Sequence, residues 1–288
     1  MHQDDGITAT LRRFNRTYTQ RIGALEESFL GTGRPLGVSR VLYEIGLHGA
    51  GVGVLRDRLD LDSGYLSRVL SRLEQDGLVR LRPDPGDGRR RLAELTRSGR
   101  QAWHELESRS EDLATRLVDP LSPRQRERLA DALATADLLV RAATVALREV
   151  PDSDPAVRDA AGRYVAELAR RFPRGFALDA LDTGRYVLAT SDGEPVALGG
   201  LRELADPGTA EIKRMWVHPA WRGAGLGSRM LRHLETMAAA AGHDRVVLDT
   251  NGTLVEAIAM YERAGYHRVE RYNDNPYAEL FFAKTLHS

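Results

Sequence analysis

The chain has 288 residues, room for two domains of ordinary size, and its 41 basic and 41 acidic side chains give zero formal net charge. That balance offers no global case for nucleic acid, so any such binding must come from a local basic patch, and the lack of cysteine excludes disulfides, thiolate metal sites and cysteine nucleophiles. The N-terminal run MHQDDGITATLRRFNR lacks the apolar core of a secretory signal, and no segment approaches the roughly 20 apolar residues needed to span a bilayer, so a soluble cytoplasmic protein without a membrane partner is expected. Arginine carries nearly all the positive charge, Lys213 and Lys284 being the only lysines. Arginine suits bidentate phosphate or guanine contacts, though a GC-rich genome produces the same bias.

In chain order, Leu11, Phe14, Tyr18, Ile22, Leu25 and Phe29 recur every three or four positions, and a long helix over 5–30 is expected, stopped by Gly31–Pro35. Short helices are expected over 39–48 and 52–59. Asp62 or Ser63 then caps a helix whose buried face is Leu66, Val69, Leu70 and Leu73. Its other face carries Tyr65, Ser67, Arg68, Ser71 and Arg72, and Gly77 ends it. Two short strands, 78–81 and 91–95, flank the turn-forming run 83–88, with Arg89, Arg90 and Arg91 beside the tip. Such a plan sends the second helix into a major groove and the hairpin to a neighbouring one. The recognition helix, the Gly77-Leu78-Val79 after it, and the Asp87-x-Arg-Arg-Arg hairpin followed by Leu95-Thr96 resemble the MarR family of winged-helix regulators. The resemblance implies double-stranded DNA contacts by Ser63, Tyr65, Ser67, Arg68, Arg72, Arg89 and Arg90, with Arg91 alongside and Asp87 as the wing aspartate that orients an arginine. Two long helices follow, 97–117 and 123–147, the second with a stripe of Leu129, Leu133, Ala136, Val140 and Ala143. The resemblance implies that such terminal helices form a homodimer, which a palindromic operator would mirror; packing onto the second domain is the alternative.

Residues 149–155, polar and bearing two prolines, read as a boundary between domains 1–150 and 151–288. Beyond it a helix is expected over 156–172, then strands over 186–190 and 196–204. A strand over 210–218 ends at Pro219, and Arg222-Gly223-Ala224-Gly225-Leu226-Gly227-Ser228 opens a helix to residue 241. A glycine-rich turn here exposes backbone N–H groups at the helix's positive end, where a diphosphate can sit. The spacing is neither the dinucleotide fingerprint nor a Walker A loop. A strand over 245–249, a helix over 254–264, and strands over 266–271 and 278–285 complete the chain.

The run Arg-x-x-Gly-x-Gly after a Val-x-Pro strand end resembles the acetyl-CoA motif of the GNAT acyltransferases, and Ala257-x-x-Met-Tyr-Glu-Arg-Ala-Gly-Tyr266 resembles a second segment of that family. The fold class expected is therefore two domains: all-α with a β-wing, followed by an α/β acyltransferase fold. The resemblance implies acetyl-CoA as co-substrate, with Tyr261 protonating the leaving thiolate, a role that suits a phenol protonated at neutral pH. The expected carriers are the Met215, Trp216 and Val217 backbone, the turn from Arg222 to Ser228, and Asn251, the nearest asparagine where many members carry one at the position of Leu254. The amine must be neutral to attack. Glu211 is the best candidate base, its side-chain parity matching Lys213 and Met215; His218 and His267 are weaker ones. Asn273, Asn275 and Tyr277 bunch near Pro276, as substrate contacts or as a turn. No all-protein metal site is expected. The leading expectation is a fused regulator and N-acetyltransferase acting on a primary amine. The rival is a repressor that senses acyl-CoA without turnover.

Overall fold

In the computed structural model, residues 4–84, 88, 90–172, 175–177 and 184–286 are described. The chain divides into two compact units, Met1–Glu127 and Arg128–Ser288. The division lies inside a helix, upstream of the expected boundary at 150/151. Among the described residues, no helix is long and apolar enough to cross a membrane.

The first unit opens with helix α1, Asp4–Arg21. The continuous helix expected to residue 30 stops because Gly23 turns to φ 66°, letting the Gly23 and Ala24 N–H groups close back on the carbonyls of Gln20 and Thr19. Helices α2 (Leu36–Ile45), α3 (Val52–Leu59) and α4 (Ser63–Gln75) follow. Asp62 caps α4 by accepting from Tyr65 N–H at 3.0 Å, and Leu66, Val69, Leu70 and Leu73 are buried as the periodicity predicts. A two-residue strand β1, Ala50–Gly51, went unread; it pairs with the hairpin β2 (Val79–Pro83) and β3 (Arg91–Leu95) in the order β1-β3-β2. Helix α5, Arg97–Val118, begins under this sheet with Thr96 as its cap.

At the start of α5 the backbone leaves no room for a side chain. A Cβ on Gly99 would lie 1.9 Å from the Leu78 carbonyl oxygen, a backbone atom that cannot rotate away. Gly99→Ala is expected to destabilise the first unit by about 3 kcal/mol or more and to lower its Tm by more than about 10 °C. A thermal scan within 2 °C of wild type (a shift of about 0.4 kcal/mol) would contradict that packing.

In the second unit, α6 (Pro123–Thr144) ends against the sheet. Its last carbonyls are satisfied by Arg229, which donates to Ala142 O and, at 3.0 Å, to Val145 O, while Arg141 stacks 4.5 Å above the Trp221 ring. The stretch expected as a linker is instead strand β4, Leu147–Pro151, antiparallel to β5. An edge position tolerates Pro151, which needs no partner for the N–H it lacks. Helix α7 (Pro155–Arg171) precedes β5 (Arg185–Ser191), β6 (Glu194–Glu203) and β7 (Thr209–Val217). Helix α8 (Leu226–Ala240), β8 (Arg245–Thr250), α9 (Val255–Arg263), β9 (His267–Arg268) and β10 (Leu280–Thr285) follow. The seven strands run β4-β5-β6-β7-β8-β10-β9, and among the described residues only β7 and β8 pair in parallel. One face packs against α8 through Leu226, Met230, Leu231 and Leu234, and against α9 through Tyr261. The other meets α7 through Val157, Ala160, Leu188, Leu198 and Trp216.

Candidate functional site

The parallel ladder between β7 and β8 joins only Thr209–Arg245, Ala210–Val246 and Glu211–Val247. No further register pair connects them, although β7 runs on to Val217 and β8 to Thr250. The sheet therefore splits, leaving the Met215–Val217 backbone without a β8 partner. A bulge causes the divergence: Arg214 takes φ 55°, and the pairing of β6 with β7 slips between Leu198 and Gly200. Gly199 makes room for it, since a Cβ there would come within 2.7 Å of Leu234 Cδ1 and 3.2 Å of Met215 Sδ. The bulge also overturns the expected parity. Met215 packs toward α8, whereas Glu211 lies on the opposite face with Tyr272 and Asn273.

Just past β7, Gly223 and Gly225 both adopt φ 80°, with nothing within 4 Å of an added Cβ. Gly225 is the N-cap of α8 and supplies no side-chain cap, so the first N–H groups of the helix, from Leu226 to Ser228, face outward without a side-chain acceptor at their end. Gly227 serves packing instead: a Cβ would sit 3.2 Å from Met260 Sδ. A turn of two left-handed glycines before an uncapped helix start is an arrangement that can take an anionic group.

Arg222 is placed differently from expectation. Its Nε donates to Val217 O at 3.0 Å and its guanidinium pairs with Glu167 at 2.5 Å. Glu167, which sequence reading missed, is buried on α7 and also accepts from Trp216 Nε1 at 3.1 Å and Arg171 at 3.2 Å. Burial would raise this carboxyl, but the Arg222 guanidinium and the other donors hold it below the usual carboxylate range. Its local partner Arg171, four residues on, reads as an ordinary helical ion pair, and the two contacts that tie it to the turn, Trp216 and Arg222, lie 49 and 55 residues away.

Tyr261 is buried on α9, its ring 6.0 Å from Tyr266 and 6.1 Å from Phe282. Burial pushes its phenol well above the ordinary range, with further contributions from Tyr164 and Asp249. Burial likewise raises the Tyr164 phenol, opposed by the Arg214 guanidinium and helped by the Asp249 and Glu167 carboxylates. Glu211 is fully buried and carries two cations, Arg202 and, at 3.5 Å, Lys213. It further accepts from Tyr272 at 3.0 Å and Asn273 at 3.1 Å. Asn273 and Asn275 also donate to Asp249, at 2.6 and 3.2 Å. Asn251 is engaged at both ends of its amide, donating to Tyr277 O at 2.9 Å and accepting from Thr253. Tyr277 joins a ring cluster with Phe172 and Phe176. His218 accepts from Ala220 N–H, and His267 lies exposed in β9.

In the first unit, Ser63, Tyr65, Ser67, Arg68, Ser71 and Arg72 all lie exposed on one face of α4, opposite its buried leucines. Arg90 and Arg91 are exposed where the hairpin opens. Asp87 and Arg89 lie outside the described residues. Arg82 and Arg80, on β2, pair with Glu94 at 2.5 and 3.5 Å, adding basic groups to the wing that the sequence reading passed over.

Residues 149–266 match the acetyltransferase (GNAT) family, and residues 32–90 match the MarR family. The chain is 33% identical over 106 residues to an IAA acetyltransferase of Azospirillum brasilense, covering 35% of this chain and 68% of that one. It is 30% identical over 100 residues to an uncharacterised N-acetyltransferase of Schizosaccharomyces pombe, spanning 34% of this chain and 61% of the relative. A crystal structure of a MarR mutant from E. coli complexed with operator DNA superposes at TM-score 0.39 and 23% identity, over 47% of this chain and 99% of that chain.

Proposed function

Because the chain belongs to the GNAT acetyltransferase family through residues 149–266 and carries a MarR-family domain at residues 32–90, we propose that it is a DNA-binding regulator that also moves an acetyl group from acetyl-CoA to a primary amine. The observation that carries the enzymatic half is the junction of two features. An open sheet split ends beside a helix start with two left-handed glycines and no side-chain cap. The turn from Gly223 to Ser228 grips the diphosphate, with Arg222 bracing the turn through Val217 and Glu167. Along Met215–Val217, the amides that face away from β6 hold the pantetheine arm as an added strand and polarise the thioester carbonyl. Acetyl-CoA supplies the activated acetyl group. Tyr261 hands its proton to the departing sulfur as the C–S bond breaks, and regains one from the attacking nitrogen's second proton. Asn251 keeps the β8–α9 turn in place beneath it. Glu211, compensated by two cations, positions Asn273 and Tyr272 on the acceptor side.

Calorimetric titration with acetyl-CoA, followed by thiol release with a panel of amines, tests this. Micromolar binding with amine-dependent release is the expected result. Tight binding with no release from any amine would turn the second unit into a sensor, and absence of binding would remove the reading altogether.

For the first unit, the exposed serines of α4 let the backbone approach a major groove, and Arg68 and Arg72 reach guanines or phosphates. Ile7, Leu11, Phe14 and Tyr18 leave an apolar stripe of α1 exposed, and Leu133 and Val140 do so on α6, which suits a homodimer on a palindromic operator. Replacing Arg68 and Arg72 together by alanine is expected to weaken operator binding about 30-fold or more. If both touch phosphates, the homodimer loses four contacts and the slope of log K against log salt becomes shallower by roughly 3.6. Gel shifts unchanged across salt concentrations would show that this face does not meet DNA.

A further inference from the structure

We infer that Asp249, rather than Glu211, holds the acceptor as its ammonium ion and takes the proton that frees the nitrogen lone pair, and that the acceptor is a primary amine on an apolar body. The inference rests on the acetyltransferase reading above and assigns the acceptor side of that same site.

Asp249 and Glu211 occupy the same face of the sheet, on the two lips of the split. Glu211 is in register with Val247, and Asp249 lies two residues further along β8, where side chains return to the same face. Their situations differ. Glu211 has no exposed surface, and its charge is answered by Arg202 and Lys213. Asp249 is half-buried, and its recorded donors are two neutral amides, Asn273 at 2.6 Å and Asn275 at 3.2 Å. An amide orients a carboxylate but brings no positive charge, so among the described residues Asp249, unlike Glu211, has no cation among its hydrogen-bond partners. Asn273 bridges the two carboxylates and thereby fixes where Asp249 points.

The split brings phenols to this carboxylate from both sides of the sheet. Tyr261 comes from α9 and Tyr164 from α7, and each feels the Asp249 charge. Tyr272, from the segment before β10, feels it too. A continuous β7–β8 ladder would have separated them. Asp249 thus stands within electrostatic reach of the group proposed to protonate the sulfur, where an attacking nitrogen must lie. Beside it, Tyr164 packs edge-on to Phe176 at 5.9 Å, and Phe176 lies 4.7 Å from Tyr277, two residues past Asn275. These rings give an apolar wall for the body of the amine.

In the step itself, an N–H bond of the ammonium breaks and its proton passes to an Asp249 oxygen. The electron pair left on nitrogen forms the new C–N bond to the acetyl carbon as the C–S bond breaks; the sulfur leaves with that bond's electron pair and takes the Tyr261 proton, and Tyr261 is reprotonated by the second proton lost from nitrogen. Asp249 then releases that proton to solvent, so the carboxylate is unchanged over the cycle.

The test uses the full-length protein with saturating CoA, and 2-phenylethylamine hydrochloride against the isosteric 2-phenylethanol. By calorimetry, wild type is expected to bind the amine and not the alcohol. Asp249→Asn should bind the amine at least about 30-fold more weakly, with CoA affinity unchanged. In turnover, kcat/KM for the amine should fall at least about 100-fold in Asp249→Asn. Equal binding of amine and alcohol, no binding of the amine by wild type, or wild-type amine affinity in Asp249→Asn would each overturn the assignment. Failure of wild type to bind CoA in the first titration would instead strike the acetyltransferase reading.

Discussion

Replacing Gly225 by valine is expected to raise the acetyl-CoA dissociation constant at least about 100-fold, close to 2.7 kcal/mol, while the second unit stays folded. Two effects combine. Gly225 holds φ 80°, a conformation that costs an L-residue roughly 1–2 kcal/mol and a β-branched one more. No protein atom lies within 4 Å of the added Cβ, so the side chain would project into the space where the cradle opens. The first effect alone can be measured at the other end of the same helix. Gly242 follows α8 at φ 89°, also with open space around it. Gly242→Val should cost similar stability in a thermal scan and leave acetyl-CoA affinity intact. If Gly225→Val binds acetyl-CoA as wild type does, or if both variants lose it equally, the diphosphate does not sit at this turn.

Tyr261→Phe is the second large effect. Removing a positioned general acid costs about 10²–10⁴ in rate, and that loss is expected in kcat with acetyl-CoA affinity unchanged. Packing should survive, because the ring is buried against Tyr266 and Phe282 and phenylalanine preserves its shape. A kcat within threefold of wild type would assign the thiolate proton to another donor. The pH profile adds a separate check. An ordinary tyrosine loses its proton near pH 10, but burial, with the charges of Tyr164 and Asp249, moves the Tyr261 phenol above that. The raised value keeps the acid form populated as pH increases, so wild-type kcat should show no falling limb near pH 10. A decline there that disappears in Tyr261→Phe would mean the phenol is solvated rather than buried.

Much of both units was legible in the residues, and what was legible was local. Helix α4 is specified by its own Asp62 cap and by four apolar positions at helical spacing, and it forms as read. The glycines at 223 and 225 announce a left-handed turn because few other residues adopt one, and the turn is there. Where a reading failed, a partner distant in the chain had intervened or a single conformational switch had. Gly23 closed α1 early, where the apolar repeat alone continued. Residues 147–151 became a strand because β5 offered an edge, which polar composition cannot signal.

The sequence by itself determined the family resemblance, the exposed basic face of α4 and the glycine turn before α8, and it singled out Tyr261 on α9. Each depends on residue type and on spacing of a few positions, which the backbone's own geometry converts into structure. Only the tertiary structure decided which carboxylates matter and how. Arg214 reverses the parity of β7, Glu167 reaches across from α7 to hold Arg222 and Trp216, and the β7–β8 ladder stops at Glu211–Val247, short of Asp249. Those outcomes depend on which strands pair and where pairing stops, and that is settled by packing between segments far apart in the chain.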